Sequence, residues 1–258
     1  MPSRPFRTSA PLTAYVLHRY DWSESSLILD VFTREQGRIA VAAKGAKRPY
    51  SQLRAVLLPF QRIGLSLGRA PADGGDSEVH SLRAAEWAGG PPMLSGAALF
   101  SGFYLNELLM RLLARHDPHA ILFDVYAATL EALGRADDAD AEVALRAFEL
   151  MMLKEIGLLP ELNVETLTQH PVDPDGRYSL LADGGVGSPR RGDVEVNGRT
   201  LIGLQAAIEH GSLAALQQAC AAALPELKGA LRTQLHYHLG SSVLRTRQVM
   251  IDAQNLER

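Results

Sequence analysis

The chain has 258 residues, 47% of them apolar and 21% charged, with a net charge of −3 and a single cysteine. Such a composition excludes a disordered chain, an internal disulfide and a thiolate metal site. No run of roughly 18 apolar residues occurs, and Met1, Pro2, Ser3 and Arg4 lead into no apolar signal core, so neither a membrane span nor a secretory signal is expected and the cytoplasm is the default. The net charge hides a split. Residues 1–69 hold 11 Lys/Arg against 4 Asp/Glu, a balance of +7, whereas residues 70–258 hold 15 against 25, a balance of −10. One end of the chain is therefore suited to a polyanion and the rest is acidic.

Residues 12–88 read as β structure. Strands are predicted at 12–20, 26–32 and 38–43, with a turn at Asp21, Trp22 and Ser23 and a hairpin connection at Gln36 and Gly37. A fourth strand is expected over 55–60, continuing into 63–67, and a last one over about 78–86 after a Gly/Pro/Asp-rich loop at 69–76. Short strands without a helix long enough for a βαβ unit favour a small barrel. Gly89, Gly90, Pro91 and Pro92 break the pattern, and the period then becomes helical.

A first helix is predicted over 93–115, its apolar face formed by Leu99, Phe103, Leu105, Leu108, Leu109, Leu112 and Leu113. His116, Asp117 and Pro118 stop it. A second follows over 120–133, an acidic loop over 134–140, and a third helix over 141–156, closed by Gly157 with Pro160 after it. Residues 161–199 carry Asp173-Pro174-Asp175-Gly176, Gly184-Gly185 and Ser188-Pro189 and read as an irregular insert with short β-like pieces such as 178–181. Helical patterns return over 205–210 and 213–224, with Pro225 suited to a first helical position, and final helices are expected over 226–239 and 241–251. The expected architecture is α+β and multidomain. Residues 1–88 form a barrel, 93–160 and 200–258 a helical domain, and 161–199 the insert between its two parts.

The most specific local feature is the basic run Lys44, Lys47 and Arg48 around Gly45, followed by Tyr50 and Arg54. Loops between barrel strands bind oligonucleotides, and cations there neutralise phosphates and release counterions with little base reading. A solvated cationic hairpin tip is the plain alternative. Aromatic platforms for bases are available at Tyr20, Trp22 and Tyr50, whereas Tyr15, Phe32 and Phe60 lie in strand-like runs and suit a core. Cys220, inside an apolar helical run, reads as a buried small residue. His236 and His238 point about 200° apart on a helix, and His116 and His119 lack a carboxylate framework, so no metal site is expected. No nucleophile elbow, zinc-protease motif, Walker loop or dinucleotide fingerprint occurs, no catalytic residue is assigned and no cofactor is expected. Asp137, Asp138, Asp140 and Glu142 read as a solvated loop, which leaves a nuclease without a carboxylate cluster.

Taken together, several segments resemble the RecO family of bacterial recombination mediators. They are 20–33 (Tyr-Asp-Trp-Ser-Glu-Ser-Ser-Leu-Ile-Leu-Asp-Val-Phe-Thr), Gly37-Arg38, 43–46 (Ala-Lys-Gly-Ala) and 57–60 (Leu-Leu-Pro-Phe). Further along come 104–109 (Tyr-Leu-Asn-Glu-Leu-Leu), 146–150 (Arg-Ala-Phe-Glu-Leu), Ile156-Gly157, 238–240 (His-Leu-Gly) and 244–247 (Leu-Arg-Thr-Arg). The order and spacing of these pieces carry the resemblance nearly end to end. It implies an N-terminal OB-fold, a helical domain with a small module set into it, and a non-enzymatic protein on the nucleoid. Such a protein would bind single- and double-stranded DNA, anneal complementary strands and capture the acidic, apolar C-terminal tail of the single-stranded-DNA-binding protein. With RecR it would help load RecA on coated DNA.

Many relatives carry four cysteines as a zinc site in the central module. Here the module has none, and Asn163, Thr166 and their neighbours cannot replace a Cys₄ set, so a zinc-free module held by packing and hydrogen bonds is expected. For the tail, a cation beside an apolar slot is needed. Arg146 shares a helix with Phe148, Leu150 and Met151, and Tyr104, Leu108 and Arg111 lie on the first long helix; Arg146 is the leading candidate. Plain bundle core is the alternative for Phe148, Leu108 and Leu150. A different class of function also fits the charge split: a protein-interaction scaffold whose basic barrel binds an acidic protein.

Overall fold

The computed structural model describes residues 10–68, 78–135, 138–240, 244–246 and 248–249. Met1 to Arg4, the loop expected at 69–76, Asp137 and most of the helix expected at 241–251 lie outside the described residues. The chain divides into two compact units. One takes in the barrel and residues 113–123, the other residues 94–112 and those from 124 onward.

The first unit is a closed five-stranded barrel. Its strands β1 (Leu12–Asp21), β2 (Leu27–Thr33), β3 (Gly37–Ala43), β4 (Arg62–Leu67) and β5 (Val79–Trp87) run in the order β1-β2-β3-β5-β4. All pairings are antiparallel except β3 with β5. This is the OB-fold arrangement. Side-chain alternation explains it: Ala14 and Val16, Leu29 and Val31, Ile39 and Val41, and Ile63 and Leu65 all point inward at period two and are buried. Tyr15 and Phe32 sit on the outer side of the same strands, yet they are buried too, because the Phe123 ring lies 5.3 and 5.4 Å from theirs.

Residues 55–60 are not a strand. Leu53–Val56 forms a single helical turn, α1, and Phe60 takes a φ of 68°. Pro59 withholds a ladder donor. Leu57 instead joins the barrel core, and Leu53 and Val56 pack against it. The β2–β3 hairpin turns at Gly37, whose φ of 68° suits glycine, and a Cβ there would meet the carbonyl oxygen of Asp117.

The second unit is helical: α2 (Gly96–Leu112), α3 (Ala120–Arg135, which starts in the first unit), α4 (Asp138–Glu155), α5 (Gly198–His210), α6 (Leu213–Ala222) and α7 (Leu224–Leu239). The first helix is shorter than its pattern suggests. Residues 113–119 leave the helix, and in the first unit Arg115 bridges to Arg38 while His116, at φ 59°, donates its N–H to the Arg38 carbonyl. Phe103 is exposed rather than on the buried face, and Asn106 and Glu107 are buried in its stead. Most of the acidic loop expected at 134–140 is helical: α3 runs on to Arg135 and α4 starts at Asp138, where acidic residues suit a helix N-terminus. Gly157, at φ 72°, ends α4 as expected, and Pro225 lies in the first turn of α7.

The insert is more regular than its sequence suggests. Strands β6 (Arg177–Leu181), β7 (Gly185–Gly187) and β8 (Val196–Asn197) form a sheet in the order β7-β6-β8. Leu162, Val172, Tyr178, Leu180, Val186 and Val196 give it a small buried core. The Thr166 hydroxyl accepts from Val186 N at 2.9 Å, and the Asn163 carbonyl accepts from Val172 N at 2.9 Å. Among the described residues, no group of three or more His, Cys, Asp or Glu side chains could hold a metal ion, and no helix is long and apolar enough to cross a membrane.

Candidate functional site

Two places bring sequence-predicted residues together, one in each unit. On the barrel, the turn after β1 and the loop after β3 lie side by side. Lys47 joins them: its N–H donates to the Ser25 carbonyl at 2.9 Å, and its ammonium reaches the Ser23 carbonyl at 3.1 Å and the Asp21 carboxylate at 3.0 Å. Gly45, at φ 74°, donates its N–H to the Ser26 hydroxyl, and Arg48 folds back across it, close enough that a Cβ would meet Arg48 Nε at 3.5 Å.

Between the loops lies a cavity of about 290 Å³ lined by Trp22, Ser23, Ser25, Ser26, Lys44, Gly45 and Arg48. Lys44 and Arg48 are exposed cations on this cavity, and Trp22, 55% exposed, offers an aromatic face beside them. Tyr50 and Arg54 are exposed but do not line it. The structure thus separates the basic run. Lys44 and Arg48 face the opening, and Lys47 ties its walls together. The serines escaped sequence reading; the signal was a hydroxyl-rich turn (Ser23, Ser25, Ser26) ahead of β2, which becomes meaningful only once β2 and β3 pair.

Elsewhere on the barrel, Asp30 is buried between Arg38 (3.5 Å) and Arg115 (3.3 Å). Burial raises its carboxyl above the usual range, and the two guanidinium groups offset this only in part.

In the helical unit a cavity of about 200 Å³ opens between α2, α4 and α7. Phe100, Leu145, Leu235 and Leu244 supply its apolar walls, and Tyr104, Arg146, Lys228, Arg232 and His236 its polar ones. Tyr104 and Arg146 both line this cavity, and both are bound to a carboxylate of the chain itself. Glu149 is fully buried; Arg146 Nη2 lies 2.8 Å from its Oε1, and the Tyr104 hydroxyl donates to the same oxygen at 2.6 Å. Burial lifts the Glu149 carboxyl above its usual range despite Arg146 and Tyr104, and burial, then Glu149, lifts the Tyr104 hydroxyl.

Leu108 is fully buried core, and Arg111 is bound elsewhere, to the Leu239 carbonyl at 2.8 Å and to Glu107 at 3.8 Å; neither lines the cavity. Sequence reasoning missed Lys228, Arg232 and His236, although their spacing of four places them on one face of α7. Glu107 completes the site by accepting from Arg245 N and Thr246 N at 2.9 Å and from the Thr246 hydroxyl at 2.7 Å, which holds Leu244 and Thr246 at the cavity wall.

Three far-separated segments, 104–109, 146–150 and 244–246, therefore meet at one place. Comparison with known proteins identifies the family of both units. Residues 10–88 match the family described as "Recombination protein O N terminal" and residues 93–248 "Recombination protein O C terminal". A relative from Polaromonas naphthalenivorans (strain CJ2) is 53% identical over 245 residues, covering 94% of this chain and 96% of its own. One from Polaromonas sp. (strain JS666 / ATCC BAA-500) is 50% identical over the same shares, and one from Variovorax paradoxus (strain S110) is 49% identical over 253 residues, again 94% and 96%. All three are named "DNA repair protein RecO". With its OB-like barrel and its helical domain both matched, the chain belongs to the RecO family of DNA repair and recombination proteins.

Proposed function

We propose that this chain is a non-enzymatic recombination mediator. It binds single- and double-stranded DNA through the barrel, anneals complementary strands and captures the C-terminal tail of the single-stranded-DNA-binding protein in the helical cavity. With RecR it helps load RecA, working in the cytoplasm on the nucleoid. The observation that carries the DNA reading is the barrel cavity, where two exposed cations and three serines surround an opening beside Trp22. Cations neutralise phosphates, hydroxyls donate to phosphate oxygens, and an indole face stacks on a base. Annealing follows without bond chemistry: a basic surface holding two strands screens their repulsion and raises their local concentration. The tail reading is supported by an apolar slot rimmed by Lys228, Arg232 and Arg146.

The test is a salt series of single-strand binding, read by anisotropy, for the native chain and for Lys44→Glu with Arg48→Glu. Affinity of the native chain is expected to fall steeply with salt, and the double variant to lose at least roughly tenfold at low salt with a slope shallower by about two. Unchanged affinity and slope in a folded double variant would remove the barrel cavity as the DNA site. A chain that binds acidic proteins but no DNA at moderate salt would replace the reading with that of a scaffold.

A further inference from the structure

We propose that the insert is a brace for α7 and that Val194 is a positioning residue. Seated against Gly229, it fixes the roll of that helix and so the place of Lys228 and Arg232 on the cavity wall. The inference rests on the reading that this cavity takes an acidic peptide, and goes beyond it by giving the insert a part in the site. At about 100° per residue, α7 has three faces spaced roughly 120° apart. Leu227, Ala230, Leu231 and Gln234 are buried in the helical core. Lys228, Arg232 and His236 line the cavity. Glu226 and Gly229 form the third face, and the insert meets α7 there.

Gly229 carries the argument. Glycine inside a helix is destabilising relative to alanine, because its backbone loses more freedom on folding. A packing reason offsets that cost here: a Cβ would lie 3.0 Å from both methyl carbons of Val194, closer than carbon atoms pack. Gly203 on α5 has nothing within 4 Å of the same position, so the close approach is a property of this place and not of helical glycines in general. The loop that brings Val194 to the notch is itself held. The Ser179 hydroxyl of β6 donates to the Val194 carbonyl at 3.0 Å, and Arg190 N donates to the Asp193 carboxylate at 2.9 Å. Earlier on α7, Glu226 is bound by the insert as well. Its Oε2 accepts from Asn197 N at 3.0 Å, and Arg177 lies 3.8 Å from its Oε1.

Packing along one stripe holds a helix close but resists rolling only weakly, and a second contact off that stripe removes the freedom. A roll of about 10° carries side-chain ends about 6 Å from the axis through about 1 Å, enough to spoil the geometry of a binding site. Lys228 directly precedes Gly229 and Arg232 follows it by three residues, so both cations move with the notch.

The experiment is anisotropy with a fluorescein-labelled acidic peptide ending in Pro-Phe with a free carboxylate, on the full chain. Gly229→Ala is expected to weaken binding roughly fivefold although alanine favours the helix, so thermal stability should not fall in proportion. Adding Val194→Ala removes the two methyls that the new Cβ meets and should return affinity to within about twofold of native. A general loss of structure would not be repaired by a second truncation. Native-like affinity in folded Gly229→Ala overturns the brace, and so does a double variant as weak as the single one. Hydrogen exchange without peptide tests it independently, and serves also if Gly229→Ala does not fold. In Val194→Ala the amides of the first turns of α7 should exchange at least roughly fivefold faster while those of α3 stay native; unchanged exchange overturns the brace. A native chain that does not bind the peptide removes the cavity reading alone, and the brace then stands or falls on the exchange.

Discussion

Lys44 and Arg48 on the barrel stand exposed at a loop cavity, whereas Arg146 in the helical unit is 11% exposed and bound to a carboxylate of its own helix. All three look alike in the sequence, as cations near apolar or glycine-rich runs. They differ in what surrounds the charge. A loop between strands leaves its cations in water, where they are available at little cost. A helix turned inward buries its cation, and burial demands a partner from the chain itself. The barrel loop shows the same division on a smaller scale, since Lys47 reaches Asp21 and Ser23 while its neighbours do not.

The comparison breaks most sharply at Arg146. Arg146→Ala leaves Glu149 buried without its cation, and a loss of about 3–5 kcal/mol in unfolding free energy is expected by urea denaturation. The pH dependence carries a definite sign. Glu149 already binds its proton more tightly when folded than when unfolded, so its contribution to stability is full at low pH and falls as pH rises through its raised value. Without Arg146 that value rises further, and the variant should regain part of its loss as pH is lowered from about 8 to about 5. A loss below about 1 kcal/mol, the size of an exposed pair, would erase the distinction between the two kinds of cation.

Lys47→Ala probes the barrel side with a smaller effect. If Lys47 positions the loops, single-strand affinity should fall only roughly threefold, and the salt slope should stay close to native, because a contact to phosphate has not been removed. A slope shallower by about one would make Lys47 a direct contact. Smallest of all is the effect expected at Cys220, fully buried behind the Arg146–Glu149 pair with its thiol pushed up to about 12. Iodoacetamide should leave it unmodified in the native chain and alkylate it in urea, as followed by mass spectrometry; alkylation under native conditions would show that this wall of the helical core opens.

Much of the fold was legible because period-two runs such as 27–33 and 37–43 have few other ways to bury their side chains. The helical turn at Leu53–Val56 was not, since its apolar residues have the spacing of a strand as readily as of one helical turn, and the choice rests on Pro59 and the positive φ of Phe60. The three-stranded sheet of the insert escaped for a related reason: β7 and β8 have three and two residues, too few to show a period. Of the candidate sites, charge was legible and availability was not. Lys44 differs from Lys47 through the turn at 21–26 that packs beside them, and Arg146 differs from the exposed Arg232 through its burial and its pairing with Glu149, three residues away on the same helix but visible as a partner only once both are placed inside. The stripe Lys228, Arg232, His236 could have been read directly, but its importance lies in the α2 and α4 residues that face it.

Glu107 holds residues that lie 138 and 139 positions further along the chain. Contacts of such separation close large loops and form late in folding, after the local helices are in place. The wall that Leu244 and Thr246 give the helical cavity is therefore among the last parts of that unit to assemble. On a ribosome, a nascent chain could have a finished barrel while this cavity still lacked one side, so the barrel surface is complete before the helical cavity is, and Glu107→Gln would lengthen the interval between the two.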